Sequence, residues 1–446
     1  MENNNGGSLN LLAAVTMIAG GMIGSAIFSL SGLTMYTAGP AAILSWIIAA
    51  LIMLCYGLVC AELATRFPKS GGVFVFPTKA LGKTEKQGRF WGWISVWGYF
   101  NANIVAVAFA AIYVGTYLSV GFPVFEGMQI PLAVGSVILV YLMNIMKMSS
   151  LGKLNNILVA GIVITMLIYI ITSIVTGAFE TSNLIPFFSQ GAGGDLGFIS
   201  VVPTAMTGYG SIVAVSFMVQ EVKNPNRNVP RAVLIAMTIV CLLYLGMIVA
   251  TLGMISADFL ADNPGMRYIP MYAAAFTKLA SVPWMSKVIS ISALLALITT
   301  MLVVMSLTAR AMKAVSDTKL LPEAFGKISS NGIPVFATSV VAILAAIISF
   351  FPDFTELLVN LGALFAVMVT VMTNISLIAA QKKFPLPEGA FKAPLGKALP
   401  WISLVLTFIC NISAIISGNI LVYAFTLGWY VIGIIYYKIR VRKIDN

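Results

Sequence analysis

Long runs of apolar residues, broken only by short polar stretches, dominate the chain from residue 10 to residue 437. A helix needs about 20 such residues to cross the hydrocarbon core of a bilayer. Twelve segments meet that requirement: 10–38, 40–63, 88–119, 127–146, 154–177, 199–220, 231–254, 284–309, 333–351, 355–380, 399–418 and 420–437. Their apolar character is continuous and does not alternate every second residue, which predicts helices and excludes a β-barrel. The first run lacks a basic leader and further spans follow it at once, so it reads as a span and not as a cleavable signal. The fold class expected is all-α: a single polytopic membrane domain over 1–446.

Two of these runs are interrupted near their middles. Gly20-Gly21-Met22-Ile23-Gly24-Ser25-Ala26 breaks the first and Thr207-Gly208-Tyr209-Gly210-Ser211 breaks the sixth. Backbone groups released from a helix in hydrocarbon cost several kcal/mol, roughly, unless protein, water or ligand satisfies them. A pair of breaks five spans apart, each flanked by hydroxyls, therefore reads as a binding site. The competing reading is packing, because Gly20 and Gly24 form a G-x-x-x-G pair of the kind that lets membrane helices approach closely. Spans one and six would each open a five-helix block, 10–177 and 199–380, related as inverted repeats, with 399–437 as two additional helices.

Composition and charge narrow the ligand. Of 446 residues 59% are apolar and 9% charged, and the mean hydropathy is +0.98. All but Arg267, Lys278 and Lys287 of the 26 basic residues fall in the loops and tail that share one side if both termini lie there. Basic loops mark the cytoplasmic side, so both termini are expected inside a cell membrane, despite an N-terminal tail that holds Glu2 and no base. The net charge of +11 is thus a topology signal; no soluble basic module for nucleic acid is present. The chain has no His, and Cys55, Cys60, Cys241 and Cys410 all lie inside apolar segments, without zinc or disulfide spacing. Neither metal nor cofactor is expected, and the sequence points away from an enzyme.

No Asp, Glu, Lys or Arg occupies the middle of a predicted span. Intramembrane charge is what proton relays and counter-ions are built from, so a central site here has only backbone dipoles, hydroxyls, amides and aromatic rings. In the orientation above, the outer half of the first span begins near Ser25 and presents N–H groups, which suit an anion. Carbonyls end its inner half near Met22 and the outer half of the sixth span near Thr207 to Gly210, which suit a cation. A ligand with a carboxylate and an ammonium one carbon apart satisfies both, and that is an α-amino acid.

Four stretches, 20–28 (GGMIGSAIF), 61–82 (AELATRFPKSGGVFVFPTKALG), 221–232 (EVKNPNRNVPRA) and 306–337 (SLTARAMKAVSDTKLLPEAFGKISSNGIPVFA), resemble the amino acid–polyamine–organocation (APC) permeases, which share the LeuT-like fold. The resemblance implies twelve spans, a five-plus-five inverted repeat and cytoplasmic termini. It also implies that the backbone of Gly24, Ser25 and Ala26, with the Ser25 hydroxyl, receives a substrate carboxylate, and that carbonyls around Met22, Thr207 and Gly210 receive the ammonium. Side-chain contacts would come from Tyr209, from Asn101 or Asn103 on the third span, and from 360–362 with Gly362 on the tenth; Thr299 and Thr300 rank below them. An interhelical hydrogen bond accounts for Asn101 and Asn103 equally well.

The departures from the family pattern bear on coupling and size. Ala26 stands where glycine is usual and adds a methyl beside the carboxylate position; Thr207 replaces an aromatic gate residue. Val213 and Val163 stand where several members carry an acid and a lysine, which points to exchange or facilitated diffusion over proton coupling. In 66–82, Pro68 and Gly71-Gly72 punctuate a short amphipathic piece with the composition of an inner gate, and Lys223-Asn224-Pro225 ends the sixth span; simple turn chemistry fits both stretches too. The expected function is transport of neutral L-amino acids by alternating access, with a monomer or homodimer in the bilayer. Alternatives are a proton-coupled symporter, a carrier of basic amino acids or polyamines, and, in a different class, a membrane sensor or channel, although no polar stripe or charge ring of a pore is visible.

Overall fold

A computed structural model describes residues 9–69, 71–146, 148–416 and 420–445, with the backbone alone at 148–155, 413–416 and 445. Glu2 and the last two positions of the expected eleventh span, 417 and 418, lie outside the described residues. Those described are helical or in turns, with a lone bridge between Leu9 and Val222 in place of any strand. Among the described residues, eight helical segments are long and apolar enough to cross a membrane: Leu11–Arg66, Glu85–Gly121, Asn156–Val175, Gly194–Glu221, Pro225–Met254, Met285–Ser316, Pro352–Lys383 and Ile420–Ile444. Gln129–Asn144 and Val335–Ser349 are apolar but shorter, and so is the apolar stretch Ala398–Ile412, whose helical backbone runs on to Ile416.

Length and punctuation explain the difference from the twelve segments read along the chain. The 56-residue segment Leu11–Arg66 contains two of them, joined by a tight corner at Gly39, whose φ of +58° suits glycine and whose missing Cβ would stand 3.0 Å from Gln190 Cβ. Two of the shorter helices begin at local breakers: Pro334 precedes Val335, and Gly127 (φ +74°) precedes Gln129. At 1.5 Å per residue a 16-residue helix spans about 24 Å, less than the hydrocarbon core of about 30 Å.

Burial sorts the helices into a centre and a shell. Within their most apolar windows Glu85–Gly121 is 72% buried and Met285–Ser316 67%, against 17% for Ile420–Ile444 and 28% for Asn156–Val175. The central pair meet each other, and Met285–Ser316 also packs on Leu11–Met22; the shell presents Leu167, Ile171 and Ile435 outward, as lipid-facing surface requires.

The loops that hold most of the basic residues gather at one end. Arg66 Nη1 donates to Phe384 O at 3.2 Å, Lys383 Nζ to Ala80 O at 2.9 Å, and Arg440 Nε to Lys319 O at 2.9 Å. Arg310 and Glu221 pair at 3.2 Å, and Leu9 N donates to Glu221 O at 2.8 Å, which ties the start of the first helix to the end of the sixth span. Glu62 is fully buried here, yet its carboxylate accepts from Arg66 Nε at 2.9 Å, Gln381 Nε2 at 3.1 Å and Ala393 N at 2.9 Å, so its charge is matched on every side. The piece expected to be amphipathic, Gly72–Ala80, is instead packed into the bundle: Val73, Phe74, Phe76 and Ala80 are buried and Lys79 alone among its residues is exposed. Gly71 introduces it at φ +95°, a value that an L side chain rarely adopts.

Candidate substrate site

The first break is sharp. Helix Leu11–Met22 ends at Ile23 (φ −70°, ψ 90°), and the chain resumes as a wide π-turn segment, Ala26–Leu30, before running regularly through Ser31–Ala38. Single π-turns frequently accompany functional sites. Side chains from distant helices take up the released backbone groups. Ser25 N donates to Thr300 Oγ1 at 3.2 Å, Tyr117 Oη to Phe28 O at 2.6 Å, and Tyr244 Oη to Met22 O.

The sixth span breaks differently. Val202–Thr207 ends in a turn through Gly208 and Tyr209, and the chain continues in 3₁₀ geometry over Gly210–Ala214 and a short α-turn, Val215–Met218. Tyr244 Oη also lies 3.3 Å from Gly208 O, so one hydroxyl on the seventh span touches a freed carbonyl of each break. Such carbonyls would otherwise be unpaired at bilayer depth.

Between the breaks lies a cavity of about 190 Å³. Of the residues singled out from sequence, Met22, Ser25, Ala26, Asn103, Thr207, Gly210 and Gly362 line it, together with Thr300 and Val213. Gly24, Tyr209 and Asn101 lie off it, as do Asn360 and Thr299. Packing explains each displacement that has a visible partner. A Cβ on Gly24 would stand 1.7 Å from Thr300 Oγ1, so Gly24 serves the approach of the eighth span. Tyr209 is fully buried in an aromatic cluster, its ring 5.9 Å from Trp46 and 5.3 Å from Tyr244 between centroids, with Oη 3.4 Å from Trp46 O. Asn101 keeps a buried, unpartnered Oδ1, while Asn103 brings a buried, unpartnered Nδ2 to the cavity wall.

The remaining wall is apolar for the most part, with Leu30, Met53, Val105, Phe109, Met206 and Val304 among its side chains. Tyr56, Tyr99, Thr370 and Asn411 add polar atoms, and among the described residues no Asp, Glu, Lys or Arg reaches it. Tyr244, Tyr56, Tyr99 and Asn411 are absent from the sequence reading. The signal that could have raised them is weak: each is a polar residue at mid-depth in an apolar run, as many structural hydroxyls also are.

The geometry is that of a small, largely apolar compartment whose polar rim is unwound main chain. The sequence pattern described as amino acid permease matches residues 9–438. The chain belongs to the amino acid permease family. Among its relatives are the branched-chain amino acid permease BcaP of Bacillus subtilis, 28% identical over 95% of this chain and 90% of the relative, and BcaP of Lactococcus lactis, 26% identical over 94% and 91%. The methylthioribose transporter of Bacillus subtilis is 28% identical over 95% of this chain and 91% of its own. This amino acid permease is thus a multi-pass membrane protein of a transporter family, and its relatives are permeases and not enzymes.

Proposed function

We propose that this permease is a secondary transporter that moves neutral L-amino acids across the cell membrane by alternating access, as an exchanger or facilitator. In this reading the chain makes twelve spans with both termini cytoplasmic, two inverted five-helix blocks at 10–177 and 199–380 and two further helices at 399–437, and it works as a monomer or homodimer. The substrate carboxylate meets the N–H groups at Ser25 and Ala26; the ammonium meets carbonyls near Thr207 and Gly210. Met22 O is shared with Tyr244, which sets its position.

One observation carries the reading: the cavity joins two helix breaks, and among the described residues its wall has no Asp, Glu, Lys or Arg. A zwitterion's two charges are matched by opposite helix ends, whereas a third charge on its side chain would meet only apolar groups, hydroxyls and amides. The same void supports exchange or facilitated diffusion, since proton coupling calls for a titrating group.

Counterflow in proteoliposomes tests this. Saturable exchange of labelled alanine, serine, leucine or methionine is expected, with little accumulation when a pH gradient is imposed. Unsaturable ion current, a preference for lysine or arginine held against the faces of Tyr56 and Tyr99, or strong proton-driven accumulation would each overturn it.

A further inference from the structure

The cavity wall includes a residue from the eleventh helix, Ala398–Ile416, which lies outside both proposed five-helix blocks. That residue is Asn411, and it is 3% exposed. Its helix packs against Ala42–Arg66, Val202–Thr207 and Thr355–Lys383. From those three helices the wall receives mostly apolar side chains, Met53, Met206, Ala366 and Val367 among them, with the hydroxyls of Tyr56, Thr207 and Thr370.

The amide of Asn411 is oriented by its own helix. Nδ2 donates to Thr407 O at 2.7 Å, and the opposite amide orientation would set Oδ1 against that carbonyl, acceptor against acceptor. Among the described residues nothing donates to Oδ1. It is also not sealed in, for it is not among the buried side-chain atoms that lack a partner, so the small exposure of this residue is exposure to the cavity. Two hydroxyls of that wall are committed to their own helices, since Thr370 Oγ1 donates to Ala366 O at 3.0 Å and Thr207 Oγ1 to Thr204 O at 2.6 Å. A free acceptor aimed into an apolar compartment needs a donor from whatever occupies that compartment.

We propose that Asn411 is a specificity-determining residue, whose side-chain carbonyl receives the hydrogen of a hydroxyl or carboxamide on the side chain of a neutral amino acid. The inference rests on the proposed transport of neutral amino acids and deepens it. The zwitterion is held by main chain that every amino acid satisfies equally, so discrimination falls to the side-chain compartment, where Asn411 supplies an unpaired acceptor as Asn103 supplies an unpaired donor. Threonine and valine differ by a hydroxyl in place of a methyl at nearly equal volume, and that makes them the discriminating pair. A site that offers a hydrogen bond rejects the isostere that lacks one, because its own polar group is then left unpaired.

The test is competition between threonine and valine for counterflow by the full-length protein in proteoliposomes. Asn411→Leu, or the smaller Asn411→Ala, is expected to lower the threonine-to-valine preference by about tenfold, the worth of one net hydrogen bond. Asn411→Ser places a hydroxyl that can donate back to Thr407 O and still turn a lone pair to the cavity, so it is expected to hold the preference near that of the parent. Equal preference in the parent and all three variants, with transport intact, overturns this inference alone. A parent protein that carries no neutral amino acid overturns the transport reading and this inference with it.

Discussion

The two helix breaks share a glycine-rich composition but use their glycines for opposite purposes. At the first, Gly24 is pressed against the eighth span, where an added Cβ would overlap Thr300 Oγ1 at 1.7 Å, and Gly21 lies 3.0 Å from Ser211 Cβ by the same measure. At the sixth, Gly208 backs onto the Trp46 ring at 2.8 Å, whereas a Cβ on Gly210 would meet nothing within 4 Å. The first break is clamped at both glycines, whereas the sixth is clamped at Gly208 and keeps open space at Gly210. The hydrogen bonds follow the same division: hydroxyls of Thr300, Tyr117 and Tyr244 all reach the first break, and Tyr244 alone of the three reaches the sixth, at a longer distance. A glycine cluster in a membrane helix therefore marks a place where the chain cannot afford a side chain, without saying whether a neighbour or a ligand fills the space.

The largest expected effect comes from alanine at the two glycines. Gly24→Ala must push Thr300 away and should cost about 1–3 kcal/mol, read as a lower apparent Tm in detergent. Gly210→Ala has room for its methyl, so stability should stay within about 0.5 kcal/mol while amino acid affinity falls because the methyl enters the cavity. Equal losses of stability in the two variants would erase the distinction.

Next in size is Tyr244→Phe, which leaves Met22 O and Gly208 O without their shared donor at a cost of about 1–3 kcal/mol and should weaken substrate binding as the breaks lose their common anchor. Tyr209→Phe is the control, since its hydroxyl makes a long 3.4 Å contact to Trp46 O and meets the Cys241 thiol, and neither of these is a carbonyl freed by a break. A Tyr209 variant as damaged as the Tyr244 variant would show that the strut between the breaks has been misassigned.

The smallest effect is that of Thr300→Val, which removes the acceptor for Ser25 N at about 1 kcal/mol. Thr300→Ser should restore both stability and uptake, because its hydroxyl can occupy the same place.

How far the site was legible follows from what each residue type announces. Met22, Ser25, Ala26, Thr207 and Gly210 belong to the interruptions themselves, so any reading that finds the breaks finds them. Asn101 and Asn103 cannot both face the cavity, because two steps along an α-helix turn a side chain by about 200°, and no local rule says which one does. Tyr209 was drawn to the site by its position in the break, but the close backing of Gly208 on Trp46 turns that ring into the aromatic cluster instead. For Gly24 the G-x-x-x-G reading, close helix approach, is the one that matches its surroundings. Tyr244 could not be anticipated, since nothing in its own segment distinguishes it from the other tyrosines.

The chain by itself determined an all-helical membrane protein, the distribution of bases along its loops, and where two helices must open. These are properties of neighbouring residues: apolar run length, charge and the backbone freedom of glycine act within a turn or two. Tertiary structure alone decided which side chains satisfy the openings and where space remains. The hydroxyl on Met22 O comes from 222 positions away and the acceptor for Ser25 N from 275. Pairings of that kind depend on how helices pack in three dimensions, and apolar surfaces, interchangeable in composition, leave no trace of that arrangement along the sequence.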